Sequence, residues 1–268
     1  YPSRTLDFPI YPFLRLYDLQ SIFGKYSING TKNGIYSYQS QMVGSGIGFQ
    51  LKNKWFIELE YDVEVVNVES EFQFPDLEVL QNNVLLKKIF ISSKLDLIDN
   101  ILIPKSGNLV SIHYELSDTK IGSNLNYSWI EILLDMYYTI KDHTFRIKNI
   151  YTDYNNVSLP NLFHYTDQSD RAIGYYDEEL FGNNLLINQL EYRYEHKKDI
   201  YFKFILNNVM KDKKQSFQNY NNSFNYGLGA TLISPLGPMN FIWSWSDNNL
   251  YESHPKEYHF DFTAGFIF

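Results

Sequence analysis

The sequence predicts an all-β chain: a transmembrane, antiparallel, up-and-down β-barrel with about twelve strands. Three observations carry this. Apolar residues recur at every second position in one segment after another, so alternate side chains fall on opposite faces of a strand. The connections between these segments alternate between short and long. Aromatic residues make up 18% of the chain, with 23 Tyr and 20 Phe, which suits a barrel girdled by aromatics at both lipid–water interfaces.

The alternation is cleanest at the C-terminus. Over residues 258–268, Phe260, Phe262, Ala264, Phe266 and Phe268 alternate with His259, Asp261, Thr263, Gly265 and Ile267. About ten such residues is the length of a transmembrane strand. In order along the chain, strands are expected at 12–19, 41–51, 54–67, 88–98, 107–117, 128–140, 143–155, 185–195, 200–208, 224–233, 238–247 and 258–268. Within 20–40 the pattern is mixed, and Ile22 to Ile28 with Ile35 to Tyr38 could form a further hairpin. The 41–51 segment carries Gly44, Ser45, Gly46 and Gly48, a small-residue strand face. Segment 54–67 sets Trp55, Ile57, Leu59, Tyr61, Val63 and Val65 against Glu58, Glu60, Asp62 and Glu64. Val110, Ile112, Tyr114 and Leu116 oppose Ser111, His113 and Glu115; Ile130, Ile132, Leu134, Met136, Tyr138 and Ile140 oppose Glu131, Asp135 and Thr139. Leu186, Leu190, Tyr192 and Tyr194 oppose Gln189, Glu191 and Arg193; Met239, Phe241, Trp243 and Trp245 oppose Asn240, Ser244 and Ser246.

Links at 52–53, 99–106, 141–142, 196–199 and 234–237 are short, and those at 20–40, 68–87, 118–127, 156–184, 209–223 and 248–257 are longer. Bacterial barrels have tight periplasmic turns and longer external loops. A soluble β-sandwich has no reason to sort its loops this way. The sorting places both termini on the periplasmic side of a bacterial outer membrane. No stretch approaches ~18 uninterrupted apolar residues, so no transmembrane helix is expected. Outer-membrane lipids are the expected surroundings of the apolar face, because the same belt in water would far exceed what a monomer exposes.

Composition excludes several function classes. The chain has no Cys, hence neither a disulfide framework nor a thiolate metal site. Its net charge is −8, with no basic block, which argues against nucleic acid as a partner. The first residues lack a charged region followed by an apolar one, so a mature chain or a piece of a longer one is expected. Gly44-Ser45-Gly46-Ile47-Gly48 is not a nucleophile elbow. The six His residues, at 113, 143, 164, 196, 254 and 259, show no metal spacing. No catalytic residue, metal or cofactor is implied within the chain. Glu58, Glu60, Asp62, Glu64, Glu131 and Asp135 read as hydrated lumen lining paired with Arg146, Lys148, Arg193 and Lys203.

Two connections are more specific. In residues 94–107, Asp96, Asp99, Pro104 and Gly107 describe a rigid turn: Asp bonds nearby backbone while Pro and Gly fix dihedrals. In residues 171–184, Arg171, Gly174, Tyr175, Glu179, Leu180, Gly182 and Asn183 close the longest loop. Its glycines permit a tight fold-back, and its Arg could reach lumen carboxylates.

These motifs carry a resemblance. The run D-x-x-D-N-x-x-x-P-x-x-G at 96–107, G-Y-x-x-x-E-L-x-G-N at 174–183 followed by Leu-Glu-Tyr-Arg-Tyr, the segment 228–238 and the terminal Phe268 resemble the BamA / two-partner-secretion transporter superfamily. Order and spacing match over residues 88–268; before that only strand patterning does. Within the superfamily, the 174–183 motif looks most like the C-terminal barrel of patatin-like phospholipases, the type Vd autotransporter arrangement. Assembly factors and two-partner transporters carry an Arg directly before the loop Gly, and it locks onto an Asp one or two strands later. Here Ile173 precedes Gly174, and residues 204–208 lack that Asp, which favours the patatin branch.

The resemblance implies a single barrel domain over 1–268, about sixteen strands in the full family barrel, and any lipolytic domain upstream of residue 1. It implies an anchor or translocator whose 164–184 loop folds into the lumen. The final strand, through Phe260, Phe262, Phe266 and Phe268, would be recognised by the barrel-assembly machinery. The alternatives are a BamA-type assembly factor or two-partner secretion transporter, and a barrel enzyme or channel in its own right. Phe268→Asp is expected to reduce the heat-modifiable barrel recovered from outer membranes; unchanged recovery on unheated gels would remove the signal role of the last strand.

Overall fold

The computed structural model describes residues 9–26, 32–73, 83–155, 171–175, 180, 184–212, 220–235, 237–247 and 257–265. Twelve strands form one sheet, each paired antiparallel with its neighbours in sequence. They are β1 (Ile10–Tyr26), β2 (Lys32–Leu51), β3 (Trp55–Gln73), β4 (Val84–Asp96), β5 (Gly107–Ser117), β6 (Tyr127–Ile140), β7 (His143–Asn155), β8 (Asn184–Lys197), β9 (Ile200–Asp212), β10 (Tyr220–Ser234), β11 (Gly237–Ser246) and β12 (Glu257–Ala264). The expected all-β, up-and-down antiparallel architecture is what forms. Twelve strands are described rather than the sixteen that the resemblance implies, and among the described residues no ladder joins β1 to β12.

Residues 20–26 and 32–39 pair with each other, the hairpin that Ile22 to Ile28 with Ile35 to Tyr38 allowed, rather than forming a long link. They extend β1 and β2 in one ladder, with Ile22 opposite Ser37. The apolar signal fades there because the outward residues Gln20, Gln39 and Gln41 are polar and exposed. The 20 residues of β2 rise ~3.3 Å each, so even when tilted this strand outreaches a ~25 Å apolar band. The wall therefore stands above the band, and its outer face needs no apolar side chains.

Elsewhere alternation sorts the two faces cleanly. Outward side chains run in cross-strand rows. One is Ile47, Leu59, Ile91, Tyr114 and Ile130. Another is Phe145, Tyr192, Phe204, Leu228, Trp243 and Phe260. Inward side chains include buried Glu60, Glu64, Glu115, Glu131, Asp135, Gln189, Glu191, Asn207 and Ser244. Gly44 and Gly48 also face inward, and the space a Cβ would fill is taken by the Glu60 and Asp62 carboxylates and the Tyr11 ring respectively.

The inner face is not polar throughout. At the long-loop end Tyr38, Val66, Val68, Val84, Leu86, Tyr127, Leu185, Ile187 and Val209 form a buried apolar cluster. In sequence this shows only as doubled apolar residues, such as Val65-Val66 and Leu185-Leu186. At the other end the hairpins are tight. Lys52 and Asn53 take positive φ, as does Lys141, the conformation two-residue hairpin turns need. The start of β1 and the end of β12 both lie at this end, since Ile10 pairs with Phe49 and Ala264 with Met239.

Leu228→Arg, in the middle of an outward row, is expected to destabilise the barrel by about 2–4 kcal/mol. Urea unfolding in lipid vesicles would measure it. An unchanged midpoint would mean that this face does not touch lipid.

Candidate functional site in the barrel lumen

The loop between β7 and β8 turns inward. Residues 171–175 and Leu180 are described; Glu179, Gly182 and Asn183 lie outside the described residues. Arg171 reaches the β6 wall, where its Nη1 donates to Glu131 Oε2 at 2.5 Å. Ala172, Tyr175 and Leu180 are buried within the apolar cluster. Asn225 of β10 donates from Nδ2 to the Ile173 carbonyl at 2.9 Å. Ser246 Oγ of β11 donates to Asn225 Oδ1 at 2.8 Å, which fixes the amide in that orientation. The Tyr175 hydroxyl lies among Ser223, Asn225 and Ser246 without closing a hydrogen bond to any of them.

Two glycines make this fit possible. Gly174 has φ +86, and a Cβ on it would press against Asn225 and Ser246 at 3.3 Å. The first fact disfavours any L side chain; the second shows how closely the loop lies on the wall. On the wall itself, Gly227 leaves room for the Ile173 side chain, whose Cδ1 would sit 2.9 Å from a Cβ there.

The lumen charges are largely cross-linked. Arg146 donates twice to Asp135, from Nε and Nη2, both at 2.7 Å, and lies 3.5 Å from Glu191. Lys88 sits 2.7 Å from Glu64 and 3.8 Å from Glu115. Arg15 binds Glu60 at 2.6 Å. Lys203 donates to Asn240 rather than to a carboxylate. The cations expected to serve the carboxylates were Arg146, Lys148, Arg193 and Lys203. The structure adds Arg15 and Lys88, and it gives Arg171, whose reach to lumen carboxylates the sequence suggests, Glu131 as its partner. Among the described residues these carboxylates are held by cations and by hydroxyls: Ser40 and Tyr38 both donate to Glu64, and Tyr127 donates to Glu115.

The β4–β5 turn folds as the Asp/Pro/Gly pattern implies. Asp96 Oδ1 accepts from the Ile98 amide at 3.1 Å. Asp99 Oδ1 accepts from the Lys105 amide at 2.9 Å and the Ser106 amide at 3.1 Å. Burial alone would raise the Asp99 pKa, but these amide bonds and the Ser106 hydroxyl outweigh it and hold the carboxyl below its usual range. Gly107 has φ +107, and the Leu97 carbonyl occupies the place of a Cβ. The turn is not confined to its own hairpin. Its Pro104 carbonyl accepts from Arg193 of β8, and Lys105 Nζ donates to Glu195 of β8 at 2.6 Å. That hydrogen bond is the first reason the Lys105 pKa is raised.

Of the C-terminal residues singled out in sequence, Phe260 and Phe262 are exposed on the outer face; Phe266 and Phe268 lie outside the described residues. The sequence did not disclose Glu131, Asn225, Ser246 or Gly227 as the loop's seat. The absence of an Asp from residues 204–208 points away from the lock of the assembly-factor branch, and the Arg partner here is Glu131 on β6, two strands before the loop. The available signal was glycine at 227 between Asn225 and alternating small residues, which marks a close approach to a strand.

Breaking the seat should free the loop. Arg171→Ala leaves Glu131 buried without its cation and is expected to cost about 1–3 kcal/mol, since the Arg is part-exposed. Gly174→Val should do at least as much. Limited proteolysis at the 156–184 loop should quicken in both, while Arg171→Lys falls between. Unaltered digestion in both would show that the loop is not held by these contacts.

The sequence profile of the Omp85 superfamily domain matches residues 16–268. No curated protein matches the sequence significantly. Among solved structures, BamA from Haemophilus ducreyi lacking POTRA domains 1–3 is similar in fold, with a TM-score of 0.72 at 12% identity. The likeness covers 94% of this chain and 58% of that one, so the chain spans rather more than half of the BamA fragment. At this identity the likeness speaks for the fold alone.

Proposed function

This chain belongs to the Omp85 superfamily, and we propose that its barrel is the outer-membrane anchor or translocator of a patatin-like phospholipase carried upstream in the same polypeptide. The observation that supports this branch is the loop. It bears G-Y-x-x-x-E-L-x-G-N with Ile173 before the Gly, and its Arg171 engages Glu131 on β6. In this reading the barrel supplies no chemistry. It holds the enzyme at the lipid surface, or passes it across during assembly, and its lumen loop closes the external end. The final strand engages the barrel-assembly machinery. Localisation in the bacterial outer membrane follows from the family and from the outward apolar rows.

A second reading, a BamA-type assembly factor or secretion transporter, draws on one observation: β1 and β12 share no ladder among the described residues. It calls for periplasmic helper domains upstream in place of a hydrolase.

One experiment separates them. Native outer membranes are treated with a fluorophosphonate probe, which labels activated serines. The labelled polypeptide is then tested for peptides of this barrel. Labelling of the chain that carries these peptides, with release of fatty acid from phospholipid vesicles, is the expected result. A chain that carries the barrel but takes no label, and whose depletion leaves other barrel proteins unfolded, would overturn the anchor reading in favour of the second.

A further inference from the structure

Different segments reach across the wall at the two ends, and the β4–β5 turn has no part in the loop seat described above. The β4–β5 turn leaves the wall between β4 and β5 and touches elements far around the barrel. Thr139 at the end of β6 donates to the Lys105 carbonyl at 2.5 Å. Arg193 and Glu195 of β8 hold Pro104 and Lys105. A cavity of about 330 Å³ separates Asp99, Asn100, Leu102, Ile103 and Lys105 from Asp199, Tyr201 and Ile233 of the β8–β9 turn, β9 and β10. In the sheet order, β4 and β9 are five strands apart and β4 and β10 are six. The turn is thus a chord across the mouth, not a hairpin end.

Its internal construction suits a rigid bar. Asp99 and Asn100 tie backbone amides at 102, 103, 105 and 106, so the bar holds its shape without packing on an apolar core. The polar contacts to β8 are two: the Pro104 carbonyl held by Arg193 and the Lys105–Glu195 ion pair, while Thr139 belongs to the neighbouring strand β6. The Lys105–Glu195 pair is part-exposed, and such pairs contribute only about 0–1 kcal/mol. A stiff bar seated on weak contacts can swing as a unit.

We propose that residues 97–106 are a latch that closes the periplasmic mouth of the lumen and opens by releasing Arg193 and Glu195. Closed, it keeps the charged interior from the periplasm. Open, it admits a periplasmic chain or solvent to the wall residues beneath.

The 268 residues contain no Cys, so a single reporter can be placed. Ser92, inward on β4 and 7% exposed, is changed to Cys, and labelling by a bulky polyethylene-glycol maleimide is followed on the purified full-length protein. Labelling is expected to be slow with the native turn. Asp99→Ala, which removes charge-assisted amide bonds of about 1.5–3 kcal/mol, should speed it at least about tenfold. Lys105→Glu should also speed it, and Lys105→Glu with Glu195→Lys should return it toward the slow rate. Asn53→Cys, exposed at the same end, should react equally in all backgrounds. Fast labelling with the native turn would overturn the latch. So would rates unmoved by both Asp99→Ala and Lys105→Glu in protein that remains heat-modifiable.

Discussion

Everything in this molecule answers to the backbone. In hydrocarbon an unpaired N–H or C=O costs several kcal/mol, so a spanning strand must find a neighbour on each side. The chain meets this for β2 to β11 by pairing each with the strand before and the strand after it. Once that is required, alternation decides the rest: half the side chains face lipid and half face in. Each large outward side chain gains roughly 1.5–3 kcal/mol by leaving water, and the rows from Ile47 to Ile130 and from Phe145 to Phe260 spread this gain around the wall. Where β1 to β3 rise above the apolar band, the outward face turns polar and the pairing alone continues.

The inward half faces a different problem. Buried charges are expensive unless paired, and the lumen wall carries many. Arg146 bridges Asp135 and Glu191, and Lys88 bridges Glu64 and Glu115. At the long-loop end the wall abandons charge for Val, Leu and Ile, because the β7–β8 loop covers it. Burial of Tyr175 and Leu180 supplies most of the holding energy there, at roughly 1.5–3 kcal/mol for a large apolar side chain. An ion pair near the surface gives ~1 kcal/mol or less. Arg171 and Asn225 therefore set where the loop sits more than how firmly.

These two regimes divide the interior. One end is dry, apolar and occupied by the chain itself; the rest is polar and cross-linked by ions.

The sequence by itself determined the class of fold, the order and pairing of strands, and which residues face lipid. Those depend on a period of two and on turn residues, which are local properties. It also marked Asp99 and Gly107 as a rigid turn and Gly174 as a tight fold-back, because positive φ and Asx bonding are written in residue type. It left residues 20–40 open between a link and a hairpin, where polar outward residues blur the pattern, and the ladder from Ile22–Ser37 to Lys25–Gly34 is the hairpin. Only the tertiary structure decided that Arg171 meets Glu131, that Asn225 holds Ile173, that Lys88 lies between Glu64 and Glu115, and that the 97–106 turn reaches Glu195. Those pairs are 24 to 90 residues apart. Sidedness follows from each residue's neighbours in the chain, whereas partnership inside a closed wall follows from curvature and register, which no short stretch of sequence contains.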